Sequence, residues 1–140
     1  MNMQTNAGHP NQVDTAFLQS FSDAWNNHDI EALMSFMAED CAFHTVAGDG
    51  LLGNTIEGRD AIRESFELVW KNFPDAAWSD PVHFVSGDRA ITESTFSATN
   101  PDGSIIEARM VDVFTLTDGK ISVKNAFRKT RPVLTPQKSA

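Results

Sequence analysis

The sequence predicts an α+β fold, in which three helices precede and pack on a strongly curved, mostly antiparallel sheet. Three segments with apolar residues at helical spacing come first, and a short strand-like segment separates the second from the third. Strand-like segments with turn residues between them then extend to residue 128. A sheet that curves over helices in this way forms a cone, whose interior is a natural apolar cavity.

Two helices are expected at the start of the domain. Apolar side chains recur at helical spacing from Val13 to Trp25, which predicts a first helix with one apolar face. Asp29 is a favourable N-cap for a second helix, because its carboxylate can accept hydrogen bonds from the free amides of the first turn. The apolar face of this helix includes Met37, and we expect residues 38–40 to close it.

A short strand, a glycine-rich loop and a third helix are expected next. The strand covers residues 41–46, and the loop that follows has glycines that are not spaced as in a phosphate-binding motif. Residues 59–73 carry a clear apolar stripe at helical spacing, and Pro74 marks the end of this helix. We interpret most aromatic side chains of the stripe as core residues.

The remainder of the domain is predicted to be a meander of antiparallel strands, at residues 77–85, 89–99, 105–117 and 120–128. Asp118-Gly119 predicts a tight hairpin between the last two strands, because both residues tolerate positive φ. Residues 1–12 and 130–140 are polar and are expected to be tails on a single domain, residues 13–129.

Composition excludes several classes of function. The 140 residues carry 11 basic and 19 acidic side chains, and the net charge of −8 argues against partners such as nucleic acids and anionic membranes. Cys41 is the one cysteine, so no internal disulfide can form, and we expect neither a metal nor a cofactor. Without a signal-like or membrane-length apolar segment, the expected location is the cytoplasm.

Asp112 is the residue on which the functional expectations centre. It is a single carboxylate in the middle of an apolar strand, between Met110-Val111 and Val113-Phe114. A carboxylate in such surroundings belongs to one of two situations. It is either the polar group of a small-molecule pocket, or a residue of a solvated sheet face or structural ion pair.

Four groups of residues resemble motifs of the nuclear transport factor 2-like superfamily, which has a cystatin-like fold. They are Asp29-Ile30-Glu31-Ala32-Leu33, Ala38-Glu39-Asp40-Cys41-Ala42-Phe43, Glu57-Gly58-Arg59-Asp60-Ala61-Ile62, and Val111-Asp112-Val113-Phe114 with Asp118-Gly119-Lys120-Ile121. Within the superfamily, the chain is similar to the SnoaL-like polyketide cyclases and the ketosteroid isomerases. The resemblance implies a cone-shaped α+β barrel, and it leaves the reaction open because this fold hosts many functions.

The catalytic residues of two family reactions are incomplete here. The resemblance places Thr45 where a ketosteroid isomerase has its carboxylate base, and Phe21 where it has a tyrosine. Only the aspartate of the oxyanion hole is present, as Asp112. A limonene epoxide hydrolase would need an acid at the position of Ala126. We therefore expect neither of these specific activities.

The resemblance nevertheless implies a cavity with a few polar residues. Strand alternation puts Asp112 and Phe114 on the face that lines it, with Arg128 near its mouth. Asp112 is either protonated and a hydrogen-bond donor, or paired with Arg128, and we favour the pair. The other candidates for catalysis are Thr45 and His44. Alternation directs His44 outward unless a bulge reverses it. The expected apolar walls are Phe21, Trp25, Trp70 and Phe114.

Two functions remain open at this level. The first is binding of a small, largely apolar molecule, with cofactor-free proton transfer of the isomerase, cyclase or dehydratase type. The second is a non-catalytic dimeric scaffold or ligand-binding module. Either is expected to be a homodimer, because the outer sheet face carries Val111 and Val113 between Arg109 and Thr115.

Overall fold

The fold consists of three helices packed on one curled sheet of six strands, as the α+β prediction requires. The computed structural model describes residues 13–135, so the predicted N-terminal tail and residues 136–140 lie outside the described residues. The elements are α1 (Thr15–Asn26), α2 (Ile30–Ser35), β1 (Met37–His44), β2 (Thr55–Glu57), α3 (Arg59–Asn72), β3 (Ala77–Ser86), β4 (Arg89–Thr99), β5 (Ile105–Thr117) and β6 (Lys120–Arg128).

The sheet has the order β2-β1-β6-β5-β4-β3 and is mostly antiparallel. The exception is the β1–β6 pair, which is parallel and joins the early hairpin to the end of the meander. The β5–β6 hairpin turns at Asp118-Gly119, where both residues have positive φ, as the sequence predicts.

Two aspartates determine where the first helices begin. The side chain of Asp14 accepts a hydrogen bond from Phe17 N at 2.9 Å, and that of Asp29 accepts one from Ala32 N at 3.1 Å. Each carboxylate satisfies a first-turn amide that has no partner within its helix. The cap predicted at Asp29 is therefore confirmed.

The boundary between α2 and β1 differs from the prediction. The helix ends at Ser35, and Met37 begins β1, although its apolar side chain fits the helical pattern. Met37 pairs with Ile121 of β6, and Ile121 N donates a hydrogen bond to Phe36 O at 2.8 Å. Pairing with a distant strand thus overrides a local helical periodicity.

Strand β2 was not expected, because its three residues lie within the predicted glycine-rich loop. It forms because residues 55–57 pair with Ala42–His44 of β1. Three residues are too few to show a period of two, so the sequence pattern contains little signal for this strand.

The predicted C-terminal tail is partly attached to the domain. Leu134 exchanges two backbone hydrogen bonds of 2.8 Å with Ile105, at the start of β5. Arg131 Nη1 also donates to Glu107 O at 3.3 Å. These contacts place residues 131–134 alongside the first residues of β5.

Candidate functional site

A cavity of about 290 Å³ lies between helices α1 and α3 and the inner face of the sheet. Its walls are mainly apolar, and alternate residues of β4, β5 and β6 project into it. The polar and charged residues in the lining are Ser22, Thr45, Ser65, Asn72, Thr92, Ser94, Asp112, Lys124 and Arg128.

The centre of the cavity wall is an ion pair between Lys124 and Asp112. Lys124 Nζ donates a hydrogen bond to Asp112 Oδ1 at 3.0 Å, and the two side chains are 6% and 11% exposed. Breaking such a buried pair by removing one partner is costly, since the other charge is then left without compensation. Asp112 therefore lines the cavity and is also one half of a buried ion pair, so the two situations expected for it from the sequence occur together.

Aromatic rings surround the ammonium group of Lys124. Its Nζ lies 4.6 Å from the ring centroid of Phe43, 5.4 Å from that of Trp25 and 5.9 Å from that of Phe66. The negative faces of these rings attract the cation and help to offset its lost hydration. An ammonium group has three N–H donors, so Lys124 has donor capacity beyond its bond to Asp112.

Arg128 lines the cavity but is not the partner of Asp112, so the predicted pair is wrong. In the register of the hairpin, Asp112 lies opposite Ala126, and both Lys124 and Arg128 are its diagonal neighbours. The lysine turns toward the carboxylate, whereas the Arg128 guanidinium carbon lies 5.1 Å from the ring centroid of Phe96. Burial lowers the pKa of Arg128 from its ordinary value.

Three of the predicted aromatic wall residues, Phe21, Trp25 and Phe114, do line the cavity. Trp70 does not, and this prediction is corrected. Its ring stacks on His28 with a centroid distance of 5.0 Å, and it contacts the outer side of Trp25. The side chains of α3 that line the cavity are Ser65, Leu68, Val69 and Asn72.

Neither alternative base from the β1 region is available to a ligand. Thr45 lines the cavity, but its hydroxyl donates to Ala47 O at 2.7 Å and accepts from Asn54 N at 3.0 Å. His44 lies on the outer face, and its Nδ1 is 2.9 Å from Thr55 Oγ1. No bulge reverses the alternation at this point, because His44 pairs directly with Thr55 and Asn125.

Two residues near the cavity were not anticipated as functional, Lys124 and His83. Alternation back from Arg128 through Ala126 would have placed Lys124 on the inner face. His83 could not have been placed in this way. The register of β3 against β4 shifts between Ser79 and Val82, and this irregularity turns His83 toward the inner side next to Thr92.

Residues 18–123 match the family of SnoaL-like domains. The chain belongs to this family. The match confirms the family resemblance read from the motifs, and it ends within β6, before the cavity residues Lys124, Ala126 and Arg128. No curated protein matches the chain.

Three solved structures share the fold of this SnoaL-like domain. A candidate polyketide cyclase from Xanthomonas campestris pv. campestris has a TM-score of 0.70 and 22% identity, covering 81% of this chain and 87% of that one. A protein with a cystatin-like fold from Xanthomonas campestris has a TM-score of 0.72 and 21% identity, with coverages of 83% and 90%. TerC, crystallised with polyporic acid, has a TM-score of 0.67 and 23% identity, covering 80% of this chain and 88% of that one.

At these identities the similarity establishes the fold alone, and it confirms the cystatin-like α+β barrel. Within residues 13–135, no His, Cys, Asp or Glu cluster has the arrangement of a metal site. None of the helices in that range has the length and apolar character needed to span a membrane.

Proposed function

We propose that this SnoaL-like domain binds a small, largely apolar carbonyl compound in its cavity and catalyses cofactor-free proton transfer on it. The reaction types that fit are isomerisation, aldol cyclisation and dehydration. The observation that carries this proposal is the buried Asp112–Lys124 pair in the wall of a mainly apolar cavity. TerC, which has the same fold, was co-crystallised with polyporic acid, and this is consistent with the proposal.

Lys124 is suited to recognise the carbonyl oxygen. Removing a proton from the carbon beside a carbonyl transfers negative charge to that oxygen, and a donor already in place stabilises the charge as it forms. Asp112 and the three rings hold the ammonium in position, so little reorganisation is needed during the reaction. The apolar walls exclude water and thereby strengthen this electrostatic interaction.

A binding comparison tests the proposal. The probe is 2-tetralone, an apolar bicyclic ketone, and tetralin is the matched hydrocarbon without the carbonyl oxygen. Isothermal titration should show tighter binding of the ketone to the wild type, and Lys124→Met should remove the difference. Lys71→Met, on the exposed side of α3, is the control and should keep it. Absence of saturable ketone binding to the wild type would contradict the proposal.

We also propose that the outer sheet face joins two copies of the chain. Four apolar side chains on this face are exposed, namely Val82, Phe84, Ile91 and Phe127. The Arg109–Glu93 ion pair, with an N–O distance of 3.7 Å, lies among them. A patch with both signs of charge and an apolar centre can be complementary to itself across a two-fold axis. The alternative function, a non-catalytic dimeric scaffold, would retain this interface without the chemistry.

A further inference from the structure

A hydrogen-bonded chain of four side chains leads from the cavity wall to the protein surface. The residue Thr92 lines the cavity, and its Oγ1 lies 2.8 Å from His83 Nδ1. His83 Nε2 lies 3.0 Å from Gln19 Oε1, and Gln19 Nε2 lies 3.0 Å from Asp23 Oδ1. Thr92 is buried, whereas Gln19 and Asp23 on α1 are exposed to solvent.

The direction of each hydrogen bond follows from the Asp23 carboxylate, which lies at the surface end of this chain. The Asp23 carboxylate oxygen accepts, so the amide nitrogen of Gln19 faces it and the amide oxygen faces His83. That oxygen can only accept, and His83 Nε2 therefore carries a hydrogen. In the neutral imidazole Nδ1 is then the acceptor, and the Thr92 hydroxyl donates to it.

We infer that His83, acting through the Thr92 hydroxyl, is the group that removes and returns the proton in the cavity. This inference rests on the proposed function and identifies the base that it requires. Thr92 is directly opposite Asp112 in the β4–β5 register, so its side chain and the Lys124–Asp112 pair face the same space. The other candidate groups, Thr45 and His44, are respectively bonded within a loop and outside the cavity.

The transfer is balanced without a further reactant. The Thr92 hydroxyl proton passes to His83 Nδ1, and the Thr92 oxygen takes the proton from the carbon beside the ligand carbonyl. The electron pair of the broken C–H bond becomes the enolate, whose negative oxygen is held by Lys124. His83 becomes an imidazolium, and return of its proton through Thr92 to another carbon of the enolate completes an isomerisation.

The surroundings of His83 suit this role. Burial is the main effect and lowers the pKa of its imidazole below the ordinary value of 6.5, while the negative charge of Asp23 acts in the opposite direction. The neutral form that accepts a proton therefore predominates at neutral pH. The charged groups that face it are Asp23 on α1 and, beyond Thr92, the Asp112–Lys124 pair on β5 and β6.

Hydrogen–deuterium exchange of 2-tetralone in D₂O, followed by proton NMR, tests the inference. His83→Gln and Thr92→Val should each slow protein-catalysed exchange by about 100-fold or more, the lower end of the range for loss of a general base. Thr92→Ser should restore exchange, because it restores the hydroxyl. His44→Gln is the matched control, since His44 also bonds a threonine but lies outside the cavity. Ketone binding should be unchanged in His44→Gln, whose side chain lies outside the cavity.

The pH profile separates a relay from a structural hydrogen bond. In the wild type, exchange should fall as the pH decreases through the pKa of His83, and this acidic limb should be absent from His83→Gln. If both His83→Gln and Thr92→Val exchange at the wild-type rate while Lys124→Met does not, the inference is wrong and the proposed function stands. If the wild type neither binds nor exchanges the ketone, both are wrong. Should His83→Gln fail to fold, the contrast between Thr92→Val and Thr92→Ser decides.

Discussion

Lys124 and Asp112, twelve residues apart on neighbouring strands, form a buried ion pair 3.0 Å long at the centre of the cavity wall. They are diagonal neighbours across the β5–β6 hairpin, on the inner face. The pair places fixed charges in a mainly apolar cavity wall, an arrangement that orients a ligand with a polar oxygen.

The first prediction concerns the stability contribution of this pair. Asp112→Asn leaves the buried ammonium without its counterion and should reduce the free energy of unfolding by roughly 3–5 kcal/mol. For a domain of this size, that corresponds to a fall in melting temperature of roughly 10–17 °C. The double variant Asp112→Leu with Lys124→Met should melt well above Asp112→Asn, because it removes both charges together.

Arg128→Met is the control for this series. Its guanidinium forms no ion pair with the carboxylates of residues 13–135 and contacts the ring of Phe96, a contact worth about 0.5–1 kcal/mol. If Arg128→Met reduced the free energy of unfolding as much as Asp112→Asn does, the assignment of Lys124 as the partner of Asp112 would be contradicted. Thermal melts by circular dichroism measure both.

The second prediction is a pH dependence of stability due to His83. Because burial lowers the pKa of the folded imidazole below 6.5, the neutral form is the one that the fold favours. The stabilisation is complete above 6.5 and is lost as the pH falls from 6.5 through the lower folded pKa. Melting temperatures of the wild type should therefore decrease over this window more steeply than those of His83→Gln. Parallel slopes for the two proteins would refute the prediction.

The third prediction separates Trp70 from the cavity wall. Trp70→Phe should leave the affinity for 2-tetralone unchanged, because its indole packs behind Trp25 and on His28. Its Nε1 is buried without a hydrogen-bond partner among the described residues, so losing the N–H removes an uncompensated polar group. Trp78→Phe, which alters a residue of the cavity lining, should change the affinity. Titration calorimetry compares the two, and a change for Trp70→Phe alone would reverse their assignment.

The fourth prediction concerns the outer sheet face. The wild type should be a dimer at micromolar concentration by light scattering, and Phe84→Asp should shift it to the monomer. Phe84 is 58% exposed and lies beside Ile91 and Val113 across three strands, so a charge there would be buried in the interface. Leu51→Asp is the control, because Leu51 is fully exposed in a loop away from this face. A monomeric wild type would exclude the proposed interface.

Local sequence signals account for most of the fold and for part of the site. Helical periodicity, the Asp29 cap and the Asp118-Gly119 turn depend on residues a few positions apart, and the structure contains all three. Alternation along β5 likewise predicted that Asp112 and Phe114 share the inner face. These features were predictable because chain geometry alone determines them.

The partners of the site residues were decided by the tertiary structure. Alternation predicted that Asp112 would face the cavity, and the register makes two basic residues of β6, Lys124 and Arg128, its diagonal neighbours. The cluster of rings from α1, α3 and β1 favours the ammonium of Lys124 beside the carboxylate, and Phe96 holds Arg128 elsewhere. His83 faces Thr92 only because β3 is irregular after Ser79. Such choices depend on packing between distant segments, which a local pattern does not encode.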